Sequence, residues 1–205
     1  MIQILPPGVS SLIAAGEVIE RPASVVKELI ENAIDARAAA IAVEIREGGL
    51  ALIRVSDNGS GMSRADAPLA LARFATSKLQ SADDLRAIKT LGFRGEALPS
   101  IAAVAEVEIL TRTSEEVEGT RVRGQGKGER GQVEPVASPV GTSVTVRALF
   151  RDLPARRKFL KSPMRESELV FETVVRYALA YPSIAFRLVS DGRETFAAPA
   201  QSLLE

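Results

Sequence analysis

Polar residues recur along one stretch of the sequence, VVKELIENAIDA, which covers residues 25–36. At about 100° per residue, this stretch predicts a helix whose apolar residues gather on one side. Glu28, Asn32 and Asp35 gather on another side, with Asn32 at the border of the apolar stripe. A carboxylate and an amide one helical turn apart could form the polar wall of a site or could face solvent. The spacing alone favours solvent, and it gives Asp35 no role beyond the surface.

The available chemistry is limited by two residue types that the sequence lacks. Its 205 residues contain no His and no Cys. This excludes thiol nucleophiles, His-based triads, and metal sites with thiolate or imidazole ligands within the chain. Catalysis would depend on carboxylates, Lys, Tyr, hydroxyls and backbone amides. A bound metal would be a hard cation on oxygen ligands, such as Mg²⁺ or Ca²⁺.

The composition predicts a soluble globular protein, most simply a single domain over residues 1–205, since 46% of the residues are hydrophobic. Lys plus Arg and Asp plus Glu number 26 each, so no net charge attracts nucleic acid or a membrane. No apolar run is long enough to span a bilayer, and the N-terminus lacks the pattern of a secretory signal. A cytoplasmic protein without membrane contact is therefore expected.

The segment DNGSGM, residues 57–62, follows a predicted strand and offers a carboxylate beside two glycines. Asp57 could accept a hydrogen bond from the exocyclic amine of a base. Gly59 and Gly61 would let a flat ligand approach the backbone because they have no Cβ. The alternative is an ordinary turn, since Asp-Asn-Gly is itself a strong turn sequence.

A second glycine-rich segment, GFRGEA at residues 92–97, precedes a predicted helix. Backbone N–H groups and the positive end of a helix could converge there on an anion such as a phosphate. The alternative, a tight turn, explains one glycine but not the whole arrangement. TSK, residues 76–78, offers two hydroxyls and an ammonium, which suit polyphosphate or any exposed loop. GQGKGERG, residues 124–131, precedes a strand, so it is predicted to be a hairpin tip.

A nucleotide site of the common kinds is excluded, because the sequence has no GxxxxGK[ST] and no GxGxxG after a first strand. A purine nucleotide would need a different fold. Hydrolysis of its terminal phosphate would require a metal on the phosphates, backbone donors and a group that polarises water. Asn32, the GFRG segment and Glu28 could supply these parts.

The order of the predicted elements indicates an α+β fold, a sandwich with helices on one face of a sheet. Helices are predicted over 10–20 and 22–36, followed by a hairpin of strands 41–47 and 50–56. Helical pieces over 64–89 and a glycine loop opening onto a helix, 91–104, come next. A meander of VEILTRT, GTRVRG, QVEPVA and GTSVTVRAL then leads to helices at PARRKFLK and 166–181, and to a hairpin over 184–198 that turns at Asp191-Gly192.

These motifs together resemble the N-terminal ATPase domain of the MutL family of DNA mismatch-repair proteins. GEVIERPASVVKELIENAIDA, DNGSGM, RFATSK, LGFRGEAL and PARRKFL occur in the order and spacing of that family. The wider superfamily, with gyrase B, histidine kinases and a heat-shock chaperone, shares the helix Asn, the DxGxG and the later glycine box. The resemblance implies a two-layer α/β sandwich of the GHKL (Bergerat) ATPase type, with a mixed, mostly antiparallel sheet.

The resemblance also implies roles for individual residues in binding ATP and Mg²⁺. Glu28 would be the general base and Asn32 the Mg²⁺ ligand. Asp57 would read adenine beside Gly61, and Thr142 would support the adenine end. The residues that would line the phosphates are Thr76, Ser77, Lys78, Gly92, Phe93, Arg94, Gly95, Glu96, Ala97 and Leu98.

By the same resemblance, ATP would close a lid and drive homodimerisation of N-terminal domains. Slow hydrolysis would then reset a switch that coordinates a bacterial mismatch-recognition protein and downstream repair factors on DNA. Family members continue into a second domain, whose Lys reaches the γ-phosphate, and a C-terminal dimerisation domain. Both are absent from these 205 residues, so weak hydrolysis in isolation is expected. The alternative is a nucleotide-binding interaction module with negligible turnover.

The sequence departs from the family pattern at a few positions. Arg37 stands where the family usually has Gly, and Phe74 where it usually has His. A basic cluster could contact DNA through its phosphates, but it is also typical of a solvated helix face with Phe159 and Leu160 buried beneath it. The cluster consists of Arg156, Arg157, Lys158, Lys161 and Arg165.

Overall fold

The computed structural model describes residues 3, 15, 16, 18–78, 90–92, 94–124 and 132–201. Four α-helices are bounded within this part of the chain: α1 (Pro22–Asp35), α2 (Ala97–Val104), α3 (Pro154–Phe159) and α4 (Pro163–Ala180). The described strands are β1 (Ala40–Arg46), β2 (Leu52–Asp57), β3 (Glu106–Arg112), β4 (Gly119–Gly124), β5 (Gln132–Val136), β6 (Gly141–Arg147), β7 (Ala185–Ser190) and β8 (Arg193–Ala198). Glu47–Gly49 and Ala67–Leu71 form short 3₁₀ turns.

These strands form one sheet with the order β5-β4-β3-β6-β2-β1-β7-β8. Neighbouring strands are antiparallel except for β1 and β7, which are parallel. The mixed, mostly antiparallel sheet predicted from the sequence is therefore confirmed. Helix α1 packs on β1 and β2, and α4 packs on α1 and the β7–β8 edge.

The two faces of the sheet differ sharply in chemistry, which is why the helices cover only one of them. Alternate residues of the central strands, among them Val43, Val55 and Val144, are buried under the helices. On the opposite face, oppositely charged side chains pair across neighbouring strands, as Arg54 does with Glu44 at 2.8 Å. The placement of the helices on one sheet face follows from this alternation.

Most predicted elements are present with shifted boundaries. The predicted hairpin of β1 and β2 is formed, with Val43 opposite Val55, and β7 and β8 form the last hairpin. Residues 10–14, residues 79–89 of the helical pieces predicted over 64–89, and residues 125–131 of the predicted hairpin tip lie outside the described residues. One packing prediction is wrong, because Phe159 is 82% exposed. It is the last residue of a six-residue helix, which is too short to cover it.

Helix α1 positions the candidate catalytic residues, and its sequence explains both of its ends. Pro22 occupies the first turn, where its fixed φ suits a helix and its missing N–H has no intrahelical partner to lose. The buried stripe of Val25, Val26, Leu29 and Ile30 fixes its rotation on the sheet. After the helix, Arg37 adopts φ 59°, the left-handed conformation that often follows a helix end.

Replacing Arg37 with Gly should stabilise the fold. Arg37 is exposed, and a left-handed backbone costs a residue with a Cβ roughly 1–2 kcal/mol. The greater entropy of Gly in the unfolded chain removes part of this gain, so an increase of about 0.5–1 kcal/mol in the free energy of unfolding is expected. Urea unfolding measures it. Arg37→Ala, which keeps the Cβ, should show no such gain, and equal stability of the two variants would contradict the explanation.

Candidate functional site

Asn32 on α1 faces a neighbouring segment of the chain. Its Oδ1 accepts a hydrogen bond from Lys78 Nζ at 2.9 Å, and both groups are partly buried. Glu28 lies one turn earlier on the same helix, with its side chain 22% exposed. Lys27 Nζ donates to Glu28 Oε1 at 3.0 Å. The polar edge of α1 is therefore a wall of side chains that are only partly open to solvent.

Asp35 was predicted to be a surface residue, and that prediction is wrong. Its side chain is only 6% exposed and forms an ion pair with Lys78 at 2.6 Å. Its carboxylate also accepts the backbone N–H groups of Leu91 at 2.9 Å and Gly92 at 3.1 Å. Asp35 thus connects the end of α1 to the two segments that were predicted to bind phosphate.

The glycine box predicted to bind phosphate, residues 92–98, begins beside these groups. A Cβ added to Gly92 would lie 3.4 Å from Lys78 Nζ and 3.9 Å from Asn32 Oδ1. Gly95 has φ 62°, and its carbonyl accepts the N–H of Phe74 at 3.1 Å. The box is therefore tied both to the edge of α1 and to the segment that contains RFATSK.

The other residues of these two segments are placed as follows. Thr76 Oγ1 accepts the Lys78 N–H at 3.1 Å, and Ser77 is exposed. Arg94 is exposed, Glu96 precedes α2, and Ala97 and Leu98 open that helix. The first N–H groups of a helix have no intrahelical acceptor, so they could serve an anion. Phe93, another predicted phosphate contact, lies outside the described residues.

Asp57, the predicted base reader, ends strand β2 directly opposite Thr142 of β6. Its Oδ1 accepts the Gly59 N–H at 2.8 Å, so the predicted turn is also formed. Burial raises the pKa of the Asp57 carboxyl, and hydrogen bonds from the Gly59 and Thr142 backbone offset part of this effect. A half-buried carboxylate with lone pairs still available is suited to accept a hydrogen bond from a ligand amine.

Thr111 supports this end of the site, although no sequence motif indicated it. It is fully buried, and its Oγ1 lies 3.0 Å from Thr142 Oγ1. The same oxygen accepts the Met62 N–H at 2.8 Å and contacts the Gly141 carbonyl at 3.1 Å. One hydroxyl therefore joins the DNGSGM loop to two strands.

Gly61 lies in the same loop with φ 69°, and a Cβ there would overlap the Arg112 carbonyl group. Gly61→Ala should therefore destabilise the fold by about 2–4 kcal/mol, from backbone strain plus the clash. Gly192→Ala is the matched control, because Gly192 has φ 80° with no atom within 4 Å of an added Cβ. It should lose only about 1–2 kcal/mol. Equal losses in urea unfolding would show that the close approach at Gly61 is unimportant.

The two halves of the site meet at the end of α1. The Ser60 N–H donates to the Ala36 carbonyl at 2.9 Å, and a Cβ on Gly59 would lie 2.6 Å from the same oxygen. The structure thus brings Asn32, Lys78 and Gly92 together and places the Asp57 loop on the end of their helix. Glu28 joins this group through α1, since its hydrogen bond is to Lys27 and not to the glycine box.

The oxygen donors here fit Mg²⁺ only as part of a nucleotide complex. Within the described part of the chain, no cluster of three or more carboxylates could hold a metal. Asn32 Oδ1 is a partly buried, hard oxygen ligand, and in this structure it accepts a hydrogen bond from Lys78 Nζ. Mg²⁺ commonly uses one or two protein oxygens and takes its other ligands from phosphates and water. The donor set therefore fits that mode of binding.

Comparison with known proteins agrees with this geometry. Residues 19–133 match a family model described as histidine kinase-, DNA gyrase B- and HSP90-like ATPase. The chain belongs to this ATPase family. The matched region contains α1, the Asp57 loop and the glycine box, and the GHKL fold predicted from the sequence is confirmed.

Within that family the chain is similar to MutL proteins. It is 57% identical over 192 residues to the DNA mismatch repair protein MutL of Anaeromyxobacter dehalogenans strain 2CP-C, covering 94% of this chain and 31% of that protein. It is 53% identical to MutL of Streptococcus equi subsp. zooepidemicus strain H70, covering 93% of this chain and 29% of that protein. The chain thus spans about a third of the length of these relatives.

Solved structures lead to the same assignment. The Aquifex aeolicus MutL ATPase domain complexed with ADP matches with a TM-score of 0.75 at 38% identity, covering 90% of this chain and 66% of that one. The N-terminal domain of a DNA repair protein matches with a TM-score of 0.79 at 28% identity, covering 94% and 56%. The recognition of a MutL-type ATPase domain is therefore confirmed. Among its described helices, none has the length and apolarity needed to cross a bilayer.

Proposed function

We propose that residues 1–205 form one ATP-binding domain that hydrolyses ATP slowly with Mg²⁺ and acts as a nucleotide-gated switch in DNA mismatch repair. The observation that carries this proposal is the grouping of Asn32, Lys78 and Gly92 beside the Asp57 loop. A phosphate-binding cluster and a base-reading carboxylate then lie at the same end of α1. The ADP complex of the similar Aquifex aeolicus domain supports nucleotide binding by this fold.

Each half of the site has a distinct task in this proposal. Asp57 accepts a hydrogen bond from the adenine amine, beside Gly61 and Thr142. Lys78 and the backbone N–H groups of residues 94–98 bind the phosphates. Asn32 holds Mg²⁺ through its Oδ1. When bound, the metal neutralises phosphate charge and favours attack at the terminal phosphorus.

Glu28 acts as the general base in this proposal. Its Oε1 accepts the bond from Lys27, whereas its Oε2 bonds no group among the described residues and is available to a water. The water oxygen forms a bond to the γ-phosphorus as the bond from that phosphorus to the β–γ bridging oxygen breaks. The water proton passes to the Glu28 carboxylate, and the products are ADP and inorganic phosphate.

A second function, nucleotide binding with negligible turnover, is favoured by one contact. Lys78, the cation closest to Asn32 in the described site, is paired with Asp35 at 2.6 Å, which neutralises much of its charge. The experiment is phosphate release with the 205-residue chain in excess over ATP, with Mg²⁺ or with a chelator. The proposed ATPase predicts release that needs Mg²⁺. Binding of an ATP analogue without any such release would favour the interaction module.

The MutL assignment also supports partners for the whole protein. We propose that ATP drives homodimerisation of this domain and that the full-length protein meets a mismatch-recognition protein, downstream repair factors and DNA. Lys158 and Lys161 of the basic cluster are exposed, as DNA contact would require. Arg156 instead donates to the Ile19 carbonyl at 3.1 Å. Replacing Lys158 and Lys161 with Gln should weaken DNA binding and reduce its salt dependence.

A further inference from the structure

Helix α4 contacts α1 through a short hydrogen bond that the ATPase mechanism above does not use. The Tyr177 hydroxyl donates to Glu31 Oε1 at 2.5 Å. The Tyr177 ring stacks on Tyr181, with centroids 6.3 Å apart and planes 14° from parallel. The ring therefore stacks on the residue that follows α4, while its hydroxyl reaches across to α1.

The bond continues along α1 to the candidate base. Glu31 Oε2 accepts from Lys27 Nζ at 3.0 Å, and the same ammonium donates to Glu28 Oε1 at 3.0 Å. Each oxygen of Glu31 thus has its own donor, which restricts rotation of the carboxylate. One continuous chain of hydrogen bonds, the Tyr177 chain, therefore links Tyr177, Glu31, Lys27 and Glu28.

The protonation states required by the Tyr177 chain are those that its surroundings favour. Burial, the bond to Glu31 and the charges of Glu31 and Glu28 raise the pKa of Tyr177, so its hydroxyl stays a donor. Burial lowers the pKa of Lys27, but the bonds and charges of Glu31 and Glu28 raise it by more. Across neutral pH the Tyr177 phenol and the Lys27 ammonium therefore both remain hydrogen-bond donors.

Lys27 could not hold a fixed position by itself. Its side chain is 48% exposed, and isolated surface ion pairs contribute little because long side chains lose entropy and water screens the charges. Shared between two carboxylates, one of which is anchored by Tyr177, the ammonium has a defined position. That position determines which Glu28 oxygen is engaged and which is available to water.

We propose that Tyr177 is a positioning residue for Glu28, acting through Glu31 and Lys27. This inference rests on the proposed function, in which Glu28 is the general base. Tyr177 lies outside residues 19–133, the part that matches the ATPase family model. The orientation of the base is therefore set partly by a helix that the family model does not include.

Tyr177→Phe removes the hydroxyl and keeps the ring, so the stacking on Tyr181 is retained. Tyr177 lines an open cavity of about 420 Å³, together with Ala23, Ser24, Lys27, Thr173 and Arg176, so loss of its hydroxyl leaves no enclosed void. The variant should therefore fold. We expect kcat for ATP to fall between about twofold and 150-fold, the range of coupling between contacting groups, with KM nearly unchanged. The acid limb of the kcat–pH profile should also shift.

Tyr181→Phe is the matched control, because Tyr181 directly follows α4 and its hydroxyl has no hydrogen-bond partner among the described residues. It should leave kcat and the pH profile as in the wild type. Tyrosinate absorbance provides a readout without turnover, since the chain has two Tyr and no Trp. In the wild type one tyrosine should ionise at unusually high pH. Tyr177→Phe should abolish that late ionisation, and Tyr181→Phe should retain it.

A double-mutant cycle with Lys27→Met separates positioning from a general loss of stability. If the Tyr177 chain acts as one unit, Tyr177→Phe should reduce kcat little further once Lys27 is replaced. Additive losses in the cycle would overturn the positioning role of Tyr177. The same conclusion would follow if Tyr177→Phe had the kcat and pH profile of Tyr181→Phe. In either case, turnover that still depends on Glu28 would leave the proposed function intact. Turnover that is the same in Glu28→Ala as in the wild type would overturn the proposed function and this assignment with it.

Discussion

Asp57→Asn is expected to weaken ATP binding by roughly 10- to 150-fold, the usual worth of a hydrogen bond to a charged group. The reason is the Gly59 N–H, which already donates to Oδ1. If the Asn oxygen keeps that bond, its NH₂ group faces the adenine amine, and two donors meet. If the amide turns over, its NH₂ group faces the Gly59 N–H. Neither orientation satisfies both partners.

The same substitution should not destabilise the fold. The pKa of Asp57 is raised in the folded protein. Above this raised pKa, the ionised carboxylate lowers the free energy of unfolding. Below the pKa of the unfolded chain, the carboxyl is protonated in both states and this destabilisation disappears. Asp57→Asn should therefore match or exceed the wild type in thermal stability at neutral pH. Any advantage should shrink as the pH falls through the raised pKa. Asp152→Asn, at a residue whose side chain is 86% exposed, is the control. Unchanged ATP affinity in Asp57→Asn would refute the adenine contact.

Glu28→Ala is expected to have the largest effect on turnover. Removing a positioned general base typically costs about 10²- to 10⁴-fold in rate. Binding of an ATP analogue should change little, because Glu28 contacts neither the glycine box nor the Asp57 loop in the described structure. Phosphate release and analogue affinity, measured on the same preparations, check this split. Glu115→Ala, at an exposed residue in a turn, should leave both unchanged. Equal rates in Glu28→Ala and the wild type would exclude Glu28 as the base.

The sequence predicted the parts of this site that local patterns encode. The predicted strand LALIRVS placed Asp57 at the end of a strand, and a glycine pair predicted the hairpin before it. The stripe of α1 put Asn32 at its border, where the structure finds it partly buried. Each of these predictions needed only the neighbouring residues, because periodicity and turn chemistry act over short distances.

The contacts that the sequence did not predict join distant parts of the chain. Asp35 was interpreted as surface because its partners, Lys78, Leu91 and Gly92, are more than forty positions away. Thr111 reaches Thr142 only because β3 and β6 pair in a register that places the two residues opposite each other. The DNGSGM loop then contacts Thr111 through the Met62 N–H. Tyr177 is separated from Glu31 by 146 positions, and only the packing of two helices brings them together. The periodicity of a helix or a strand does not indicate contacts between residues so far apart in the sequence.

A nucleotide site at the end of α1 is the central requirement of the proposed function. Calorimetric titration of the 205-residue chain with ATP, with and without Mg²⁺, tests it. The predicted result is saturable binding of one ATP per chain, tighter with Mg²⁺ and strongly weakened in Asp57→Asn. No binding heat in either condition, or equal affinity in the wild type and Asp57→Asn, would contradict it.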